Sequence, residues 1–256
     1  MREVFRTILL NREANKKMLA VLIDPDKCQG RALAATIAAL KENVPDFIFI
    51  GGSLTSMPVE PLIDVFKEEI ATKIILFPGN TNQFASNADA LLFMSLISGR
   101  NPDFLIGQQV QSAIKIKQSG MEIIPLGYIL IEGGKRSAVE YISNTQPIPS
   151  DKKEIVLATA NAGELLGMHS IYLEAGSGAV NPVPAEVIKY VSADICIPLI
   201  VGGGISKTEQ MIECFEAGAD VVVIGTLFEK EPQKISEFVV AAAQYSEKLQ
   251  NEKKWY

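Results

Sequence analysis

Histidine is almost missing from this chain: His169 is the only one among 256 residues. A zinc site built on imidazoles is therefore excluded. Serine-histidine catalysis is a poor reading too, because His169 precedes the sixth apolar run and so lies away from the expected site. Cysteine is scarce. Cys28, Cys196 and Cys214 are odd in number and lack metal-ligand spacing, which reads as reduced thiols in a cytoplasmic protein. No apolar run reaches 18 residues, so nothing is expected to span a bilayer, and the opening MREVFR lacks the apolar run of a signal peptide. Positive charge is in deficit: 24 Lys and Arg against 30 Asp and Glu give a net charge of −6. Nucleic acid is not an expected partner. An anionic small molecule would have to be met by local cations, a metal ion or backbone dipoles.

Apolar residues are plentiful, at 48%, and they fall in eight short runs. These are 18–24 (MLAVLID), 47–53 (FIFIGGS), 73–79 (KIILFPG), 90–98 (ALLFMSLIS), 123–131 (IIPLGYILI), 171–178 (IYLEAGSG), 198–204 (PLIVGGG) and 221–226 (VVVIGT). Short, continuous and rich in Ile, Val and Leu, they read as strands buried on both faces. Helical segments are expected at 1–17, 31–43, 59–70, 104–119, 152–167, 185–193, 207–217 and 232–250. Repeated strand-helix alternation predicts one α/β domain over 1–256, a (β/α)8 TIM barrel, with an open doubly wound sheet as the alternative. The connection 80–89 is too short and too rich in Asn, Thr and Ser for a helix. The third helix is therefore expected to be missing or replaced by an extended segment, either a harmless deletion, which length alone favours, or a gap that a long apolar ligand could use. The segment 132–150 reads as a loop with adjacent cations at Lys135 and Arg136, either a lid over an anion or a solvated surface loop. The polar tail 251–256 is expected to fray, with Trp255 available to dock.

The 171–178 run changes from strand to glycine loop at Glu174. Gly176 and Gly178 let backbone N–H groups approach an anion, and Ser177 adds a hydroxyl. Strand alternation puts Tyr172, Glu174 and Gly176 on one face. In α/β barrels the loops after strands seven and eight commonly bind phosphate. Here they carry Gly202-Gly203-Gly204 and Gly225-Thr226, and a helix opening near Ser206 would aim its amides at the anion. A base beside an anion cradle points to a phosphorylated substrate that loses a proton, with Glu174 as the base. Asp24 and Ser53 close the first two strands. Their oxygens suit Mg2+, which keeps waters and binds substrate phosphates. Asp26 is expected to cap the following helix. A phosphate-sugar isomerase or aldolase fits the last two loops equally well, and a non-catalytic phosphoglycerol- or lipid-binding barrel is a further alternative.

Five segments in order, LIDPDK (22–27), FIFIGGSLT (47–55), YLEAGSGA (172–179), IVGGGI (200–205) and VIGT (223–226), resemble the geranylgeranylglyceryl phosphate synthase family. The resemblance implies a modified barrel without its third helix. It implies transfer of a geranylgeranyl or similar prenyl group from its diphosphate to the 3-hydroxyl of sn-glycerol 1-phosphate, releasing pyrophosphate. Carried over by position, Asp24 and Ser53 bind Mg2+. Tyr172, Leu173, Glu174, Ala175, Gly176, Ser177 and Gly178, with Gly203, Gly204, Gly225 and Thr226, bind glycerol phosphate. A homo-oligomer is expected, since barrel helices often carry subunit contacts. A lipid product would bring the enzyme to a membrane surface, although no basic amphipathic helix demands it.

Overall fold

The eight runs pair in sequence order. The computed structural model describes residues 3–253, and Trp255 lies outside them. The strands are β1 Met18–Ile23, β2 Phe47–Ile50, β3 Lys73–Leu76, β4 Ala90–Leu96, β5 Glu122–Leu130, β6 Ser170–Glu174, β7 Leu199–Gly202 and β8 Val221–Ile224. Every neighbouring pair is parallel, and β8 returns to β1, so the sheet closes as a barrel. The open-sheet alternative is excluded.

Alternation along the strands sorts the core into two layers. Ala20, Phe49, Ile75, Leu92, Leu126, Tyr172, Ile200 and Val223 pack together as the filling of the barrel. Their neighbours Val21, Ile48, Ile74, Leu173, Val201 and Val222 pack outward. Against them lie α2 Gly30–Glu42, α3 Glu60–Glu69, α4 Gln108–Ser119, α6 Lys153–Leu165, α7 Ala185–Ser192, α8 Thr208–Glu216 and α10 Lys234–Lys253. Leu40, Phe66, Val156, Ile188, Phe215 and Phe238 bring the helices into that outer layer. Helix α10 continues to Lys253, so residues 251–253 of the tail expected to fray are helical, and the rest of that tail lies outside the described residues.

The first helix, α1 Glu3–Glu13, plugs the floor, with Val4 and Ile8 inside the inner layer. Glu122 at the start of β5 accepts the Glu3, Val4 and Phe5 N–H groups at 2.7, 2.9 and 2.7 Å. A carboxylate thereby satisfies amides that the first helical turn leaves without partners. The His169 ring stacks on Phe5 with centroids 5.0 Å apart, a structural place at this closed end.

Between β3 and β4 stands only a 3-10 turn, Thr81–Gln83, started by Asn80, whose side chain accepts the Asn82 N–H. The helix that would join β3 to β4, the third of the barrel repeat, is absent, as expected. Two short helices were not foreseen: α5 Ala138–Ser143, inside the 132–150 segment, and α9 Thr226–Lys230, directly after β8. The first had a legible signal. Ser137 and Glu140 form the Ser-x-x-Glu pattern of a helix start, and the Ser137 hydroxyl accepts the Glu140 N–H at 3.2 Å.

Candidate active site

The strand C-termini open into a cavity of about 690 Å³. One end is polar, with Asp24, Ser53, Glu174, Ser177, Gly203 and Thr226 on its wall. The other is apolar, with Phe77, Leu92, Met94, Leu96, Phe104 and Tyr128. The apolar end also reaches Phe84, Leu91 and Ile116, which belong to the outer layer. The cavity thus passes through the barrel wall beside the connection that lacks a helix.

Glu174 ends β6 pointing inward and is 6% exposed. Its Oε1 accepts the Gly176 N–H at 2.7 Å. Burial pushes its pKa up to about 7, against the opposing pull of the Tyr172 hydroxyl and the Gly176 amide. The Tyr172 hydroxyl is buried beside this carboxylate but makes no hydrogen bond of good geometry. Burial first, and then the nearby Glu174 charge, hold the Tyr172 and Tyr128 phenols well above their usual pKa. The two rings stack at 5.3 Å, and Phe77 stacks on Tyr172 at 5.3 Å. Leu173 and Ala175 alternate outward into the second core layer, so their backbone is what they can offer the site.

The glycines let the loops close on Glu174. Gly203 has φ +85, and a methyl group there would lie 2.3 Å from Glu174 Oε1 and 2.7 Å from the Gly176 nitrogen. Gly204 and Gly225 line the same cavity. The Ser177 and Thr226 hydroxyls are 3.2 Å apart, which joins the β6 and β8 loops. One expectation needs correction. The helix after β7 starts at Thr208, and the Ser206 and Lys207 N–H groups already donate to Gln210 Oε1 at 2.9 and 3.1 Å. Those amides are occupied by the helix cap. The helix that opens at the polar end is α9, with Gly225 as its N-cap.

Asp24 and Ser53 both line the polar end. Asp24 Oδ2 pairs with Lys27 at 3.1 Å, and the same ammonium reaches Glu229 at 3.0 Å. Asp24 Oδ1 accepts the Asp26 N–H at 3.0 Å. Gly52, with no side chain, leaves space beside the Asp24 carboxyl. Among the described residues no cluster of three or more His, Cys, Asp or Glu side chains could hold a metal ion. Asp26 is not a helix cap. Its carboxylate accepts the Met57 N–H at 2.8 Å and the Ser56 N–H at 2.9 Å, and these backbone bonds lower its pKa. It therefore ties the β1 loop to the loop that carries Ser53.

Gln83 was not singled out by the sequence, and a lone Gln in a polar stretch carries no local signal. Its side chain is 2% exposed. Oε1 accepts the Gly52 and Gly79 N–H groups at 3.3 and 3.2 Å, and Nε2 donates to the Gly52 carbonyl at 2.8 Å. The turn that replaces a helix thereby locks the ends of β2 and β3 together.

The model of the PcrB family matches residues 12–243. The chain belongs to this family. Relatives named geranylgeranylglyceryl phosphate synthase agree over nearly the whole length. The one from Chitinophaga pinensis is 43% identical, covering 93% of this chain and 95% of its own. The one from Korarchaeum cryptofilum is 44% identical, covering 86% and 90%. The crystal structure of (S)-3-O-geranylgeranylglyceryl phosphate synthase from Thermoplasma acidophilum, in complex with its substrate sn-glycerol-1-phosphate, superposes with a TM-score of 0.87. It is 31% identical and covers 96% of this chain and 98% of that one. An Escherichia coli aldolase, 13% identical with a TM-score of 0.54, shares the fold alone. Among the described residues of this PcrB family member, no helix is long and apolar enough to cross a membrane.

Proposed function

We propose that the protein is a geranylgeranylglyceryl phosphate synthase, joining the prenyl group of a prenyl diphosphate to the 3-hydroxyl of sn-glycerol 1-phosphate. One observation carries the reading. A single cavity joins a buried carboxylate in a glycine-rich polar end to an apolar channel that leaves through the wall. A phosphorylated acceptor fits the first part and a prenyl tail the second. Family membership supports the same activity.

In this reading the loops of 172–178, 203–204 and 225–226 hold the acceptor phosphate through backbone N–H groups and the Ser177 and Thr226 hydroxyls. Glu174 then faces the acceptor hydroxyl and takes its proton as the oxygen attacks the allylic carbon. A base with a pKa near 7 is matched to that task. Holding the hydroxyl against the carbon supplies much of the rate through positioning. Asp24 and Ser53 offer one carboxylate and one hydroxyl, a set that fits hydrated Mg2+ sharing its remaining positions with diphosphate oxygens. That ion would offset negative charge on the leaving diphosphate. The prenyl tail runs past Phe77, Leu96 and Phe104 toward Phe84 and Ile116. A cytoplasmic homo-oligomer is part of the same proposal. Cys28, Cys196 and Cys214 are all free thiols, and Ile106, Val110 and Ile114 form an exposed apolar stripe at four-residue spacing.

The test is a product assay by mass spectrometry. Protein, Mg2+ and geranylgeranyl diphosphate are incubated with either sn-glycerol 1-phosphate or sn-glycerol 3-phosphate, with shorter and longer donors in parallel. An ether product from the 1-phosphate is the expected result. No ether product with any donor rejects the assignment.

A further inference from the structure

The acidic chain still needs positive charge where the acceptor phosphate would sit, and the 132–137 segment brings it there. This segment is docked tightly on the β6 loop. The Gly133 carbonyl accepts the Val180 and Asn181 N–H groups at 2.9 and 3.1 Å. A methyl group on Gly133 would lie 2.2 Å from the Ala175 carbonyl oxygen, so the two backbones touch. Four residues on, Ser137 packs against Gly176, where an added methyl group would lie 2.6 Å from the Ser137 Cβ. Lys135 is carried between these two anchors. A methyl group on Gly178 would meet the Lys135 Nζ at 3.4 Å and Thr226 Oγ1 at 4.0 Å.

Two of the neighbouring cations are engaged elsewhere, while Lys230 stands on the cavity wall. Arg136 projects into solvent, 88% exposed, and pairs with Glu140 at 3.7 Å. Lys27 is shared by Asp24 and Glu229. Lys135 has no carboxylate partner among the described residues. An ammonium held without a counter-ion beside a glycine loop and two hydroxyls is suited to a phosphate monoester, which it meets as a point charge.

We infer that Lys135 supplies the positive charge of the acceptor cradle and contacts the phosphate of the glycerol phosphate. This rests on the reading of the 176–178 and 225–226 loops as that cradle. The side chain is exposed and unpaired, so Lys135→Gln should fold and melt like the parent protein. Calorimetric titration with sn-glycerol 1-phosphate should show affinity reduced at least about tenfold in Lys135→Gln, as for loss of a charge-assisted contact. Lys135→Arg should keep most of the affinity. Arg136→Gln should bind like the parent, and the salt dependence of binding should be shallower in Lys135→Gln alone. The affinity for geranylgeranyl diphosphate should be unchanged. Equal glycerol phosphate affinity in parent and Lys135→Gln overturns the inference and leaves the enzyme assignment standing. Loss in Lys230→Gln, a cation on the cavity wall, without loss in Lys135→Gln overturns it too. A parent protein that binds no glycerol phosphate overturns both.

Discussion

Replacing Glu174 by Gln tests the catalytic reading and the burial argument in one variant. Burial raises the Glu174 pKa from 4.5 to about 7. The unfolded chain releases this proton near pH 4.5, while the folded protein holds it until about pH 7. Between those values the folded state binds more protons, so stability falls as pH rises. A shift of roughly 2.5 units at 1.36 kcal/mol each makes the full penalty about 3 kcal/mol above pH 7. Gln keeps the shape, and its carbonyl oxygen can still accept the Gly176 N–H. Glu174→Gln should therefore lose the penalty and melt roughly 6–12 °C higher than the parent at pH 8, with no comparable gain at pH 4. Scanning calorimetry across that range reads it directly. Turnover should fall by about 10²–10⁴-fold, the usual contribution of a general base, with glycerol phosphate affinity within a few-fold. The parent's turnover should climb as pH rises through 7, where the base ionises. Identical melting curves at pH 8 would refute the buried carboxylate. Equal losses in turnover and affinity would move Glu174 from base to binding group.

Three further variants address the loops. Asp24→Asn should lose Mg2+-dependent turnover at least about a hundredfold while the circular dichroism spectrum is retained, and unchanged turnover rejects the metal role. Gly203→Ala forces a methyl group against Glu174 and Gly176 at φ +85. It should destabilise by about 2 kcal/mol or more and weaken glycerol phosphate binding, and a variant with parental melting and affinity refutes the close packing. Gln83→Leu strands the Gly52 and Gly79 amides and the Gly52 carbonyl. A loss of about 2–4 kcal/mol in denaturant unfolding is expected, and a change under 1 kcal/mol rejects the clamp.

Where the sequence spoke, a local cause was present. Eight apolar runs, six of them ending in Asp, Gly or Ser, set the strands, because strands covered on both faces need continuous apolar side chains. Ten residues rich in Asn, Thr and Ser at 80–89 forbade a helix, and the observed 3-10 turn agrees. Alternation alone placed Tyr172 and Glu174 on one face, and both point inward. Asp26 was misread because an Asp before a helical run has the same local pattern whether it caps that helix or reaches another loop. Only the packed barrel puts Ser56 and Met57 beneath it. The helix after β7 opens close to where it was expected, but the reach of Gln210 back to the Ser206 and Lys207 amides depends on backbone geometry and was not legible.

By itself the sequence determined the eight strands, the missing helix, the strand-end loops and the family. These follow from the periodicity and order of residues close together along the chain, while closure of the sheet waited for β8 to pair with β1. The tertiary structure decided what lies far apart in sequence. It buried Glu174 and so raised its pKa, brought Ser177 to Thr226, shared Lys27 between Asp24 and Glu229, and set Gln83 across two strand ends. It also laid Lys135 against Gly178, after the sequence alone had left Lys135 equally readable as a surface charge. Desolvation and contacts between distant loops exist only once the barrel closes, so no local pattern could record them.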